Sequence, residues 1–566
     1  MTEPLRRLKD PVLQDDGSYV VRSVATPTSF KVRGAAYVGS KKVIPVIFIP
    51  GTMGSNLKVR RDIKLPSDYP VPTGGAAWRP PNGTSTSWVY AKTWEHRSPA
   101  TRQLILHPNF TEVDDHGPLG TGISNLEPSV MTERGWGEVY SDSYGMLLID
   151  LQNQLDMTFQ LDPSRKREVR GPWKEVMHAM KDDPIKRWGV RSVDPLTETD
   201  LENYAQYQYP VYAFGYNWLQ SCGVAAQGLE KRIDEIIAWW SKRKHECKKV
   251  ILLTHSMGGL VARACAKRIP DKIGGVIHGV MPALGAPLAY RRLACGTEID
   301  NPKNGKVDNY IAGKFADIGG RTTEDTTPVF AVSPGALELL PNQLYPRPWL
   351  HARVIRSSGP TGRQATAFDY LHLPNDENPN PYELYRDMRS WYRLINPALA
   401  DPAKLYKGEV ENVIRGALKK AEEFHYSLGD YYHPTTFAYY GNDSTHTAYG
   451  QIRWVAREQA GIAQLALTAR NIREARYLQH ANTGARTVEV EGKGILDFEV
   501  EPQESRGDDT VPYQSGSGPG TKIKKLFATH GYRHQESYND RSTVLLTRYC
   551  IVKIVQELHK NAQPNQ

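Results

Sequence analysis

Cysteine is scarce: five residues in 566, at positions 222, 247, 265, 295 and 550, an odd number with no paired spacing. That excludes a disulfide-stapled scaffold and a paired-CxxC zinc site, and it suits synthesis and folding in a reducing compartment. Long apolar runs are missing as well. Nothing approaches the ~18 consecutive apolar residues of a membrane-spanning helix. The stretch Met1-Thr-Glu-Pro-Leu-Arg-Arg-Leu-Lys-Asp10 has no secretory apolar core. No block of like charge stands out; the densest, Lys242 to Lys249, is interrupted by Glu246. With 71 basic against 62 acidic residues the net charge is only +9. A nucleic-acid partner is not expected, whereas weak attraction to an anionic lipid surface is compatible with this balance. Internal repeats and low-complexity tracts are absent.

What is present is ordinary for a globular chain: 40% hydrophobic and 23% charged residues, which excludes the disordered and fibrous classes. The aromatics are skewed, with 30 Tyr and 12 Trp against 12 Phe. Rings with a polar tip suit surfaces that are apolar yet wet, including substrate clefts.

Short continuous apolar runs closed by turn residues predict buried parallel strands at Val43–Ile49 and Val250–Leu253, with further strands at Tyr209–Phe214, Val276–Val280, Lys525–Ala528 and Thr436–Tyr440. Helical spacing marks 225–246, 257–268, 410–421 and 543–559. Strands alternating with helices predict an α/β fold with a mostly parallel central sheet. Two long stretches break that rhythm and are expected to be insertions: 58–205, a cap without clear period, and 288–435, a mainly helical lid. The core is then expected to comprise 1–57, 206–287 and 436–566.

The richest chemistry lies in Val250-Ile-Leu-Leu-Thr-His-Ser256-Met-Gly-Gly-Leu. A strand runs into a serine and a helix leaves at once, the context of a nucleophile elbow, which lifts the hydroxyl above the sheet. Thr254 stands where that motif usually has Gly. A capped strand–helix junction would also place a serine here, but two further features follow in the order that the chemistry needs. Upstream, Pro50-Gly-Thr-Met-Gly54 follows a buried strand, and its Met53 N–H is expected to join the Met257 N–H as an oxyanion hole, with Gly51 and Gly54 allowing the backbone to turn. Downstream, Arg506-Gly-Asp508-Asp509 precedes His534 near the closing helix, the order Ser, acid, His of α/β-hydrolases. Asp443, after the strand at 436–440, is a rival acid, and His530 a rival base.

These marks, with Gly215-Tyr-Asn-Trp218, His255-Ser-Met-Gly-Gly259, Ala283-Leu-Gly-Ala-Pro287 and Gly507-Asp-Asp-Thr-Val511, resemble the lecithin:cholesterol acyltransferase and PGAP1-like branch of the α/β-hydrolases. Gly135-Trp-Gly-Glu-Val-Tyr140, Leu339-Leu-Pro-Asn342 and His534-Gln-Glu-Ser-Tyr538 are most similar to type VI secretion lipase effectors of the Tle4-like group. The resemblance covers roughly 43–57, 209–287 and 436–555. It implies Ser256 as nucleophile, Asp508 as acid, His534 as base, and Met53 and Met257 at the oxyanion hole. Asn217 falls where many relatives carry Asp, and its role stays open.

The expected activity is hydrolysis of phospholipid acyl esters at an anionic membrane interface, without metal or organic cofactor. Asp300-Asn-Pro-Lys-Asn-Gly305 has a calcium-loop flavour, but Pro302 and Ile311 at its third and twelfth positions make a turn the better reading. The effector resemblance further implies synthesis in a bacterial cytoplasm without a signal peptide, delivery by a secretion apparatus to a rival's periplasm, and an immunity protein that blocks the cleft. The competing readings are an intracellular carboxylesterase or acyltransferase on soluble esters, and a non-catalytic binding protein on a hydrolase scaffold.

Overall fold

The computed structural model describes residues 5–21, 33–66, 69–162, 164, 166–299, 301, 305–358, 364–457 and 467–562. Six apolar segments form one sheet: β1 (Val46–Ile49), β2 (Val211–Ala213), β3 (Val250–His255), β4 (Ile273–Gly279), β5 (Thr436–Gly441) and β6 (Lys525–Thr529). Their order is β2-β1-β3-β4-β5-β6, and every neighbouring pair is parallel. Alternate residues serve opposite faces. Ile47, Ile49, Val250 and Leu252 enter one core, while Val46, Phe48, Ile251 and Leu253 enter the other. Burial on both faces is why β1 and β3 read as unbroken apolar runs.

The helices that cover the sheet include α1 (Ser141–Gln154), α2 (Cys222–Lys242), α3 (Gly258–Arg268) and α4 (Arg541–Ala562). The first core is closed by Leu229, Ile233, Ile236 and Trp240 of α2 with Leu260 and Val261 of α3. Each such side chain withdrawn from water contributes about 1.5–3 kcal/mol. Leu147, Leu148 and Leu151 of α1 and Leu546, Ile551 and Val555 of α4 close the second. The Ser221 hydroxyl caps α2 by accepting from the Gly223 N–H.

The expected division of the chain shifts in two places. The 58–205 stretch is not all cap: α1 and the helix Gly171–Lys186, through Trp173 and Val176, pack into the second core of the sheet. In Gly171–Lys186, Pro172, Pro184 and the buried Trp173 obscure the helical period. A second six-stranded sheet takes Leu350–Ser358 and Gln364–Leu373 from the expected helical lid, and Ile452–Arg457, Arg476–His480, Arg486–Val490 and Gly494–Val500 from the expected core. Leu350–Ser358 pairs in parallel with Ile452–Arg457, so this sheet straddles the boundary placed at 435. Leu350, Ala352 and Val354 are buried while His351 and Arg353 between them are not, the period of two of a strand with one face outward.

All five cysteines are free and buried. Among the described residues, no helix is long and apolar enough to cross a membrane. Asp300 and residues 302–304 of the calcium-like stretch lie outside the described residues.

Candidate active site

The site stands at the carboxyl edge of the sheet, where loops after β1, β3, β5 and β6 converge. Ser256 follows β3 directly and takes a left-handed backbone, φ 51°. A non-glycine residue held there costs on the order of 1–3 kcal/mol and persists only where its surroundings impose it. They do so here: the Ser256 N–H donates to the Gly279 carbonyl at the end of β4, 2.9 Å away. A Cβ on Gly258 would lie 2.5 Å from the carbonyl oxygens of both Ile49 and Pro50, so α3 can start against β1 only without a side chain there. Thr254, in the position usually held by glycine, is fully buried and finds room beside His278, its hydroxyl 3.1 Å from the His278 Nδ1.

His534 opens a short turn after β6. Its Nε2 lies 2.8 Å from the Ser256 Oγ, and its Nδ1 lies 3.0 Å from the Asp508 Oδ2. The His534 N–H donates to the Asp508 carbonyl, 2.8 Å away, so the two loops are joined twice. Asp508 is wholly buried, and its other oxygen accepts from the Val511 N–H at 2.7 Å and the Thr510 N–H at 3.2 Å. Ser256 and His534 are buried as well. The structure therefore brings Ser256, His534 and Asp508 into one hydrogen-bonded line.

The rivals sit elsewhere. Asp509 turns away at φ 73° and pairs with His446 and Arg533. Asp443 accepts from the Thr445 hydroxyl and the Gly531 N–H. His530 remains at the end of β6, where its carbonyl accepts from Arg187. Asn217 is spent on architecture: its amide donates to the Pro108 and Thr111 carbonyls and its oxygen accepts from the Leu219 N–H.

Met257 is the residue after the serine, and Met53 lies on the loop after β1. Among the described residues, neither N–H has an acceptor within the protein. The left-handed residue of the upstream loop is Met53 itself, φ 59°, rather than Gly51 or Gly54. The glycines matter for closeness instead. A Cβ on Gly51 would meet the His255 Nδ1 at 2.8 Å and the Ser256 Cβ at 2.9 Å. The Met53 carbonyl is pinned by the Trp78 indole N–H at 2.8 Å. Two neighbours of the site escaped the sequence reading. His255 could have been suspected as a polar residue ending an apolar strand; Tyr144, on α1, left no signal.

A parallel sheet with a serine on the strained turn after a central strand, and an acid and a histidine on later loops, defines the α/β-hydrolase fold. The chain has the α/β-hydrolase fold, and its likenesses support an esterase or lipase. Residues 219–329, which include Ser256, match the PGAP1-like alpha/beta domain. The whole chain is similar to Tle4 in the crystal structure of the Tle4–Tli4 complex, with 28% identity, a TM-score of 0.69, and 91% of this chain and 98% of that chain covered. A 73-residue stretch is also 34% identical to an uncharacterized protein of Saccharomyces cerevisiae, covering 13% of this chain and 10% of the yeast protein. That match spans only about a tenth of the curated relative's length.

Proposed function

We propose that this protein is a serine-dependent phospholipase that hydrolyses acyl esters of membrane phospholipids. The observation that carries the reading is the line from the buried Asp508 carboxylate through His534 to the Ser256 hydroxyl, at 3.0 and 2.8 Å, on the turn at the edge of the sheet. In the proposed cycle the Ser256 Oγ attacks the ester carbonyl while the His534 Nε2 takes its proton. Asp508 accepts the Nδ1–H, fixing the tautomer and stabilising the imidazolium. The Met53 and Met257 N–H groups receive the tetrahedral oxyanion, and the start of α3 adds its dipole. Collapse breaks the ester C–O bond, the departing alcohol takes the proton from His534, and a water repeats the sequence to free the fatty acid. Protein groups and water suffice for every step.

The likeness to Tle4 supports a role as an antibacterial effector of type VI secretion, acting on membrane lipid in the periplasm of a target cell. The Tli4 partner in that complex supports a cognate immunity protein for this chain, which would act by blocking the cleft. A component of the secretion apparatus is a third expected partner.

The test is mass spectrometry of phospholipid vesicles treated with the wild type and with Ser256→Ala. Fatty acid and lysolipid released by the wild type alone support the reading. Intact lipids with both proteins, beside turnover of soluble esters, would replace it with a soluble-ester carboxylesterase.

A further inference from the structure

His255 lies immediately before the serine, buried, and its ring packs 5.0 Å from that of His534 and 5.5 Å from that of Tyr144. Its Nε2 is 2.9 Å from the His534 carbonyl oxygen, and its Nδ1 is 3.0 Å from the Tyr144 hydroxyl. The Tyr144 oxygen in turn receives the Gly51 N–H at 3.3 Å and the Gln535 amide at 3.5 Å.

The directions of these bonds follow from elementary inventory. A carbonyl only accepts, so the His255 Nε2 carries the proton. In a neutral imidazole the Nδ1 is then an acceptor, and Tyr144 must donate to it. The tyrosine hydrogen being committed, its oxygen is free to accept from Gly51. One directed chain thus runs from the Gly51 N–H through Tyr144 and His255 to the carbonyl of His534. The groups facing His255 are His534, Tyr144 and Tyr538, none of them a carboxylate. Burial pushes the His255 pKa down to about 3, with His534 adding to the shift, so the ring keeps this neutral form over the working range of an esterase.

We propose that His255, acting with Tyr144, is a positioning residue that locks the loop carrying Met53 and the loop carrying His534 to the serine turn as one unit. The inference rests on the proposed esterase reading and assigns the residues that set its geometry. The chain reaches Gly51, two residues before the oxyanion donor, and the backbone of the base itself. Loss of a link would let donor and base drift relative to each other, and a displacement near 1 Å in such a constellation costs up to about 100-fold in rate.

The experiment compares His255→Leu, His255→Gln and Tyr144→Phe with the wild type on a soluble ester, normalised to the Ser256 sites that a fluorophosphonate labels at completion. His255→Leu removes both bonds; the Gln amide can still donate to the His534 carbonyl; Tyr144→Phe deletes one oxygen. We expect kcat per labelled site to fall about 10- to 100-fold in His255→Leu with KM within about twofold, substantial recovery in His255→Gln, and a smaller loss in Tyr144→Phe. A purely structural role would lower melting temperature and the number of labelled sites while leaving kcat per site intact. That result, or equal impairment of the Leu and Gln variants, overturns the inference. Should His255→Leu fail to fold, Tyr144→Phe decides: wild-type kcat per site refutes the chain. A wild type that neither labels nor hydrolyses would instead overturn the esterase reading, and the positioning role with it.

Discussion

The imidazole of His534 and the hydroxyl of Ser256 meet at 2.8 Å although 278 residues separate them. Between them lie the second insertion and the second sheet, after which the last loop of the main sheet returns over the turn after its third strand.

Replacing Ser256 by Ala is expected to remove ester hydrolysis by a factor of about 10⁴ or more. The fold should survive, because the hydroxyl contributes one hydrogen bond and little packing. Circular dichroism and thermal melting of Ser256→Ala should match the wild type; retention of more than about one part in a hundred of the activity would remove the serine from its proposed role.

Among the acids, Asp508→Asn should lower kcat by about 10³–10⁴, since the amide presents the wrong group to the His534 Nδ1. Asp509→Asn should be mild: asparagine tolerates the left-handed backbone, and the lost ion pairs with His446 and Arg533 are peripheral to the line. Asp443→Asn should also be mild. Steady-state kinetics on the three variants ranks them, and a dead Asp443→Asn beside an active Asp508→Asn would reverse the assignment.

Two glycine substitutions should move stability in opposite directions. Gly258→Ala forces a methyl against the Ile49 and Pro50 carbonyls and should cost about 1–3 kcal/mol together with Ser256 labelling. Gly416→Ala, in the helix Val410–Leu428 with nothing within 4 Å of the added carbon, should gain about 0.5–1 kcal/mol. Denaturant midpoints settle both; a stabilised Gly258→Ala would mean the turn is looser than described.

The pH dependence of stability should carry the mark of Glu338. Its carboxyl is fully buried, and burial pushes its pKa up to about 7 although the Ser221 hydroxyl and Cys222 N–H donate to it. The ordinary value, reached on unfolding, is 4.5. Between the two, the folded state holds a proton that the unfolded chain has released. The contribution is therefore complete below about pH 4.5 and lost as pH rises towards 7, about 3 kcal/mol in all. Glu138, also raised to about 7 by burial, acts in the same sense. Urea midpoints measured from pH 5 to 8 should fall less steeply for Glu338→Gln than for the wild type; parallel curves would contradict this.

Much of the main sheet was legible because its strands are buried on both faces, so Val46–Ile49 and Val250–Leu253 announce themselves without reference to partners. Ser256, Asp508 and His534 were legible through local signatures in the right chain order. The second sheet was not, because half of each strand faces outward and Leu350–Ser358 finds its parallel partner only at Ile452–Arg457. Tyr144 was invisible for a similar reason: its hydrogen bond to His255 links residues 111 apart, and nothing in the helix around it marks that purpose. The expectation for Gly51 and Gly54 mistook the cause, since their neighbours demand the absence of a Cβ rather than an unusual φ.

The most direct measurement is the rate at which a fluorophosphonate labels Ser256 in His534→Ala and His530→Ala, side by side with the wild type. His534 alone is within hydrogen-bond reach of the serine, whereas His530 stays at the end of β6. Labelling should all but vanish in His534→Ala and persist near the wild-type rate in His530→Ala. A live His534→Ala beside a dead His530→Ala would contradict the proposed base and the relay built on it.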